Sequence, residues 1–228
     1  MSFFKTLQEK PWETPETASV EGSRTDAIDQ TFDPAKIALR FIMAVVSVLF
    51  FLFIITFLSR SQYPDFEALA GQPWQPFSDA SRLWINTLIL ALASLSIQFG
   101  VKRAREQRSD AVVIGVSLAA FFSILFLVAQ LDLWRGMLAM GFYVNTNPAN
   151  SYIYALTGIH GLHLLGGLIV LANVVFRIWY DEKFSSISRP LQHCATYWHF
   201  LFGIWLLLFA LLTSEAETIN TLAGLCGF

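Results

Sequence analysis

The sequence predicts an all-α protein that crosses a membrane five times, and three observations lead there. Hydrophobic residues make up 55% of the chain and charged residues 14%, against roughly 25% charged in a soluble domain. Five apolar stretches stand out, at about 37–58, 82–101, 111–134, 151–179 and 193–213, each near or above the roughly 20 residues an α-helix needs to span the hydrocarbon core. Strict alternation of apolar and polar residues is absent, which argues against a membrane β-barrel.

The elements follow in order. Residues 1–35 hold no apolar core and carry Glu9, Glu13, Glu16, Glu21, Asp26, Asp29 and Asp33, so they read as a polar tail rather than a targeting segment. Residues 36–228 then form one five-helix membrane domain. The first helix is rich in phenylalanine (Phe41, Phe50, Phe51, Phe53, Phe57) and apolar round most of its circumference. The connection from Ser59 to Ser81 contains Pro64, Pro73, Trp74 and Pro76, which suits an extended interfacial loop. The second helix carries Asn86, Thr87, Ser94, Ser96 and Gln98, and these, with Ser47 and Thr56 on the first, are expected to bond between helices rather than to line a path. The third ends near Gln130, Asp132, Trp134 and Arg135. The fourth is long enough to tilt or project beyond the bilayer, and the fifth runs from His193 and Cys194.

Basic residues fix the orientation, because they are retained on the cytoplasmic side during insertion. Alternating the connections between sides puts twelve of the 15 Lys and Arg on the side of the N-terminus, leaving Arg60, Arg82 and Arg135 opposite. The N-terminus is therefore cytoplasmic and the C-terminus external. The net charge of −2 conceals this asymmetry and gives no sign of a nucleic-acid partner. The Lys102–Arg108 cluster marks topology and suits anionic lipid. Cys194 and Cys226 lie at opposite ends of the last span and cannot pair within the chain.

Chemistry, if there is any, rests on the four histidines. His160 and His163 are three residues apart on the fourth helix, with Gly167 on the same face. On the fifth, His199 shares a face with Thr196 and Gly203, while Trp198 and Trp205 share another. One reading is a haem or metal site with neutral imidazoles from facing helices. The other is a set of hydrogen-bonded helix contacts, small residues beside polar ones letting helices approach. A catalytic metal site adds carboxylates or further His or Cys in the same layer, and none is evident, so helix contacts are favoured. Asp132 is the only acid in or at the rim of an apolar span. Its place near a helix end favours an interfacial pair with Arg135 over a proton carrier. A transporter calls for interrupted helices or paired halves, and neither is visible.

The run ALTGIHGLHLLGG over 155–167, followed by Tyr197, Trp198, His199, Phe200 and Trp205, resembles the signature of subunit III of haem-copper oxidases. Leu83–Leu88 with Ala93 and Ser94 is similar to that family's second conserved helix, and Gln130 with Trp134 to its third. The likeness covers residues 37–213 and matches the five-helix bacterial form. It implies a non-catalytic subunit beside catalytic subunit I and subunit II, in the cytoplasmic membrane of a bacterium, with haem and copper in the partner subunits and none in this chain. His160, Gly161, His163, Gly167, Tyr197, Trp198, His199 and Trp205 become structural motif residues. Phospholipid held in a cleft between the first helices and the rest is also implied, although the phenylalanines of the first helix would equally face bulk lipid. The parent complex would reduce dioxygen to water with cytochrome c as donor. A quinol oxidase, a nitric oxide reductase, or an oxidase within a larger respiratory supercomplex are the neighbouring readings, and a stand-alone membrane haem protein is the competitor of another class. Ser47 and Phe202 stand where the family usually has a glutamate and an aspartate, so functions tied to those acids are not carried over.

Overall fold

The computed structural model describes residues 33–64, 66, 80–180 and 188–228. Among them the regular structure is helical throughout: α1 Pro34–Ser61, α2 Ser81–Arg105, α3 Ser109–Ala139, α4 Pro148–Tyr180, α5 Ser188–Thr213 and α6 Ala216–Leu225. The first five are long and apolar enough to cross a membrane. Most of the expected tail, and Pro73, Trp74, Pro76 and Lys183 in the connections, lie outside the described residues. Contacts divide the chain into two units, Met1–Ala38 and Leu39–Phe228. The second carries the bundle.

Each helix outruns its apolar stretch because helix formation does not stop where hydrophobicity does. α1 starts at Pro34, whose missing N–H costs nothing in a first turn, with Asp33 Oδ1 accepting from the Ala35 amide at 3.1 Å. α2 runs four residues past its apolar core into Lys102, Arg103 and Arg105, cations that suit a helix C-terminus. There Arg103 bonds Glu106 at 2.6 Å, and that hydrogen bond holds the Glu106 carboxyl below the usual range. The turn into α3 puts Gln107 at φ 56°, a left-handed conformation that costs a residue with a Cβ roughly 1 kcal/mol.

Four helices close a ring: α2 packs on α3, α3 on α4, α4 on α5, and α5 back on α2. The tightest approach is between α2 and α3. A Cβ at Gly115 would lie 2.8 Å from the backbone Cα and N of Gly100, so the two backbones touch where both side chains are hydrogen. α1 does not join these close backbone approaches. Aromatic side chains fill the gap instead: the Phe50 ring lies 5.7 Å from that of His163, and Phe57 lies 5.6 Å from Tyr152. The phenylalanines of α1 therefore divide, Phe50 and Phe57 buried inward, Phe41 and Phe51 exposed outward. α6 is an addition the sequence reading did not foresee. It is ten residues long, too short for a span, and it tucks Ile219 and Ala223 inward while Asn220 bonds Gln62 at 3.2 Å.

Candidate functional site

Three tryptophans stitch the ring by one device. Each indole N–H donates to a hydroxyl on another helix, and that hydroxyl donates to a carbonyl one turn back on its own helix. Trp134 bonds Thr157 at 3.2 Å, and Thr157 bonds Ile153 O at 2.7 Å. Trp198 bonds Ser123 at 3.0 Å, and Ser123 bonds Ala119 O at 2.7 Å. Trp205 bonds Thr87 at 3.0 Å, and Thr87 bonds Leu83 O at 2.8 Å. Away from water an indole N–H must find an acceptor inside the protein, and a helical Ser or Thr supplies one without leaving its own proton idle. α3 is so tied to α4, and α5 to α3 and α2.

The motif histidines take three different environments. His160 is fully buried at 0% exposure, inside a box of Phe50, Phe126 and Trp205 whose ring centroids lie 6.4, 5.8 and 5.3 Å away. His163, one turn on, is half-buried, and its Nδ1 lies 2.8 Å from Ile159 O. A carbonyl only accepts, so Nδ1 carries the proton there. Gly167 completes that face. A Cβ on it would meet Tyr197 at 3.0 Å and Trp198 at 3.1 Å, so its lack of a side chain seats both rings, and the Tyr197 hydroxyl donates to His163 O at 3.3 Å. Gly161 is less constrained, its nearest neighbour Leu127 at 3.6 Å.

His199 turns the other way. Its Nδ1 lies 2.6 Å from Ser94 Oγ and its Nε2 2.9 Å from Gln98 Oε1, so the ring bonds both residues of α2 at once. With Gln98 Oε1 accepting, Nε2 carries the proton and Nδ1 accepts from Ser94. Ser94 is buried, yet Gln98 and His199 are exposed on the outside of the ring, Gln98 one turn before Lys102 of α2 and His199 in the N-terminal half of α5. Gly203 continues the exposed stripe, with nothing within 4 Å of a Cβ. The expectation that small residues beside His199 bring helices together is corrected: Gly203 faces away, and the close contact is Gly100 with Gly115.

Other expectations change as well. Asp132 pairs with Arg82 at 3.6 Å, not with Arg135, and its side chain is 71% exposed. The antiparallel packing of α2 on α3 brings the first turn of one beside the last turns of the other, and an interfacial ion pair results. Of the polar residues on α1 and α2, Asn86 bonds Gln130 at 3.0 Å, but Ser96, Ser47 and Thr56 bond carbonyls of their own helices.

A haem between His160 or His163 and His199 does not fit this arrangement. Both nitrogens of His199 are engaged by α2, and His160 is enclosed by three aromatic rings. Among the described residues no three His, Cys, Asp or Glu side chains converge as metal ligands. Beside α1, an open cleft of about 920 Å³ is lined by Ile55, Thr56, Ser59, Arg60, Tyr63, Pro64, Tyr152 and Phe228, with the Arg60 guanidinium 5.0 Å from the Tyr63 ring centre.

Residues 13–214 match the family model described as cytochrome c oxidase subunit III. Among individual proteins, the chain is 28% identical over 145 residues to a cytochrome c oxidase subunit 3 of Thermostichus vulcanus, covering 62% of this chain and 71% of that one. It is 30% identical over 128 residues to a cytochrome c oxidase subunit 3 of Synechocystis, covering 56% and 54%. With a cytochrome bo(3) ubiquinol oxidase subunit 3 of Buchnera aphidicola it shares 26% over 129 residues, covering 57% and 63%. The alignments thus span between about half and 71% of these relatives' lengths.

Proposed function

The chain belongs to the cytochrome c oxidase subunit III family, and from that premise we propose that it is the accessory subunit of a bacterial haem-copper terminal oxidase that reduces dioxygen to water. It supplies no haem or copper ligand. Its work is to pack beside catalytic subunit I, with subunit II in the same complex, and to hold it intact during turnover. The donor is cytochrome c, in keeping with the names of the Thermostichus and Synechocystis relatives. The ubiquinol oxidase named for the Buchnera relative is the second reading.

The observation that carries this is the exposed polar seam of Gln98 and His199, which lies within the spans of two apolar helices, one turn before Lys102 on α2. Within the chain both His199 nitrogens and Gln98 Oε1 are bonded, which leaves the Gln98 amide N–H groups, and an N–H turned to hydrocarbon costs several kcal/mol if nothing bonds it. The seam is therefore explained by a transmembrane helix of the catalytic subunit that lies against α2 and α5 and brings a hydrogen-bonding side chain of its own. Gly203 leaves room for that helix to come close. Phospholipid belongs in the cleft beside α1, acyl chains on Ile55 and Phe228 and a headgroup near Arg60 and Tyr63. The charge asymmetry sets the N-terminus, with its acidic tail over 1–35, in the cytoplasm.

A photo-reactive amino acid introduced in the intact cell at Leu95, on the seam face, tests the docking, with the equally exposed Ile169 of α4 as control. Capture of catalytic subunit I from Leu95 and not from Ile169 is expected. The reverse pattern would refute the assigned face.

A further inference from the structure

The polar seam on the outside has a counterpart inside, one that the docking does not use. Asn86, Gln130 and His160 lie in the interior of the four-helix ring with Thr87 and Trp205, all buried. Their hydrogen bonds are incomplete. Gln130 Oε1 accepts from Asn86, but Gln130 Nε2 and both ring nitrogens of His160 have no partner among the described residues. Three unpaired polar atoms in one protein of this kind invite an explanation, because buried polar groups are nearly always bonded.

The packing brings the unpaired groups near one level. α3 and α4 run antiparallel, with Trp134 bonded to Thr157 and Phe126 in ring contact with His160. Gln130 lies one turn from each of Trp134 and Phe126. Antiparallel counting sets Gln130 level with Gly161 from the Trp134–Thr157 pair and with Leu156 from the Phe126–His160 pair, so Gln130 stands within about one turn of His160. Both side chains face inward, Gln130 toward Asn86 of α2 and His160 toward Trp205 of α5. Of the polar groups nearby, Trp205 is spent on Thr87 and Thr87 on Leu83.

We propose that Gln130 and His160 together bind an internal water molecule, fixed inside the four-helix ring. Water is the ligand whose chemistry fits. Gln130 Nε2 can only donate, while a neutral imidazole presents one donor and one acceptor. A water accepts from Gln130 Nε2 and donates to the bare nitrogen of His160. That leaves the imidazole N–H to the π faces of its aromatic box, which accept weakly. Neither an anion nor a cation suits a site with no charged side chain. The water extends the Asn86–Gln130 bond across the ring to α4, so α2, α3 and α4 share one polar layer, which fixes their mutual register. This inference does not depend on the docking to a catalytic subunit.

The test uses the full chain in nanodiscs with histidine ring nitrogens labelled with ¹⁵N, and reads magnetisation transferred from water protons in the solid-state spectrum. His160 is assigned by the signal that His160→Gln removes. Transfer from water to a His160 ring nitrogen is expected, together with its loss and a displaced ring shift in Gln130→Leu. Absence of transfer in the native chain, or a His160 signal that Gln130→Leu leaves unmoved, would overturn the site. A map of the assembled complex that resolves ordered water offers a second reading should His160→Gln fail to fold. A density peak within hydrogen-bond distance of both side chains supports the site, and Gln130 Nε2 bonded directly to the ring with no peak between them refutes it.

Discussion

Replacing Gly115 by alanine tests the packing of α2 on α3 with one methyl group. The added Cβ would lie 2.8 Å from Gly100 Cα and N and 3.1 Å from Ser96 O, where carbon contacts settle at roughly 3.5–4.0 Å. The atoms in the way are backbone, so no side chain can rotate to relieve the overlap. The helices must separate by roughly 1 Å. Overpacking of this kind costs about 1–3 kcal/mol, and the better helix propensity of alanine returns at most about 1 kcal/mol. A net loss of about 1–2 kcal/mol is expected. Gly203→Ala is the internal control, since nothing lies within 4 Å of its Cβ, and the isolated chain should be unchanged or stabilised by up to about 1 kcal/mol. Thermal unfolding of the purified chain in mild detergent, followed by circular dichroism, measures both. Equal midpoints for Gly115→Ala and the native chain would refute the claim that backbone contact at this pair sets the approach of α2 to α3.

Trp205→Phe removes the N–H that Thr87 accepts and exchanges a fully buried indole for a smaller ring. Thr87 still donates to Leu83 O, so the lost bond should account for about 0.5–1.5 kcal/mol on top of the cavity the smaller ring leaves, and in Thr87→Val the same substitution should cost less by the share of the bond. Gln107→Gly should raise stability by roughly 1 kcal/mol by relieving the positive φ of the α2–α3 turn; an unfolding midpoint lower than native would contradict that geometry. Phe50→Ala should cost about 3–5 kcal/mol, because Phe50, at 1% exposure, fills the space between α1 and both histidines of α4. Limited proteolysis should then cut at the ends of α1 first. His160→Leu should weaken assembly and leave the haem spectrum of whatever complex forms unchanged, whereas a missing haem band in assembled complex would show that this imidazole is a ligand.

The five spans were legible because length and apolar content suffice to identify them. Their ends were not, since α2 continues through Lys102, Arg103 and Arg105 and α3 begins at Ser109, in polar sequence where hydropathy falls silent. α6 is too short, at ten residues ending in Leu225, to stand out by hydropathy, and its one local signal is the S-x-x-E pattern of Ser214 and Glu217. At the site, His160, His163, Gly167, Trp198 and Trp205 could be picked out as a motif that turns out to be inward-facing. Their partners could not. Ser123 is one serine among many until α5 is known to present Trp198 to it, and nothing local pairs Asn86 with Gln130 or Asp132 with Arg82, because each pair is joined by the antiparallel register of two helices. The Gly100–Gly115 contact was equally hidden, while Gly203, which shares a face with His199, drew attention for a contact it does not make.

Affinity purification of the tagged full-length chain in mild detergent, with an optical spectrum and mass identification of what elutes, tests the central claim most directly. The account predicts co-elution with a haem-and-copper catalytic subunit, and a chain that is colourless once separated from it. A haem band that stays with the isolated chain, or a chain that elutes with no oxidase subunit, would contradict it.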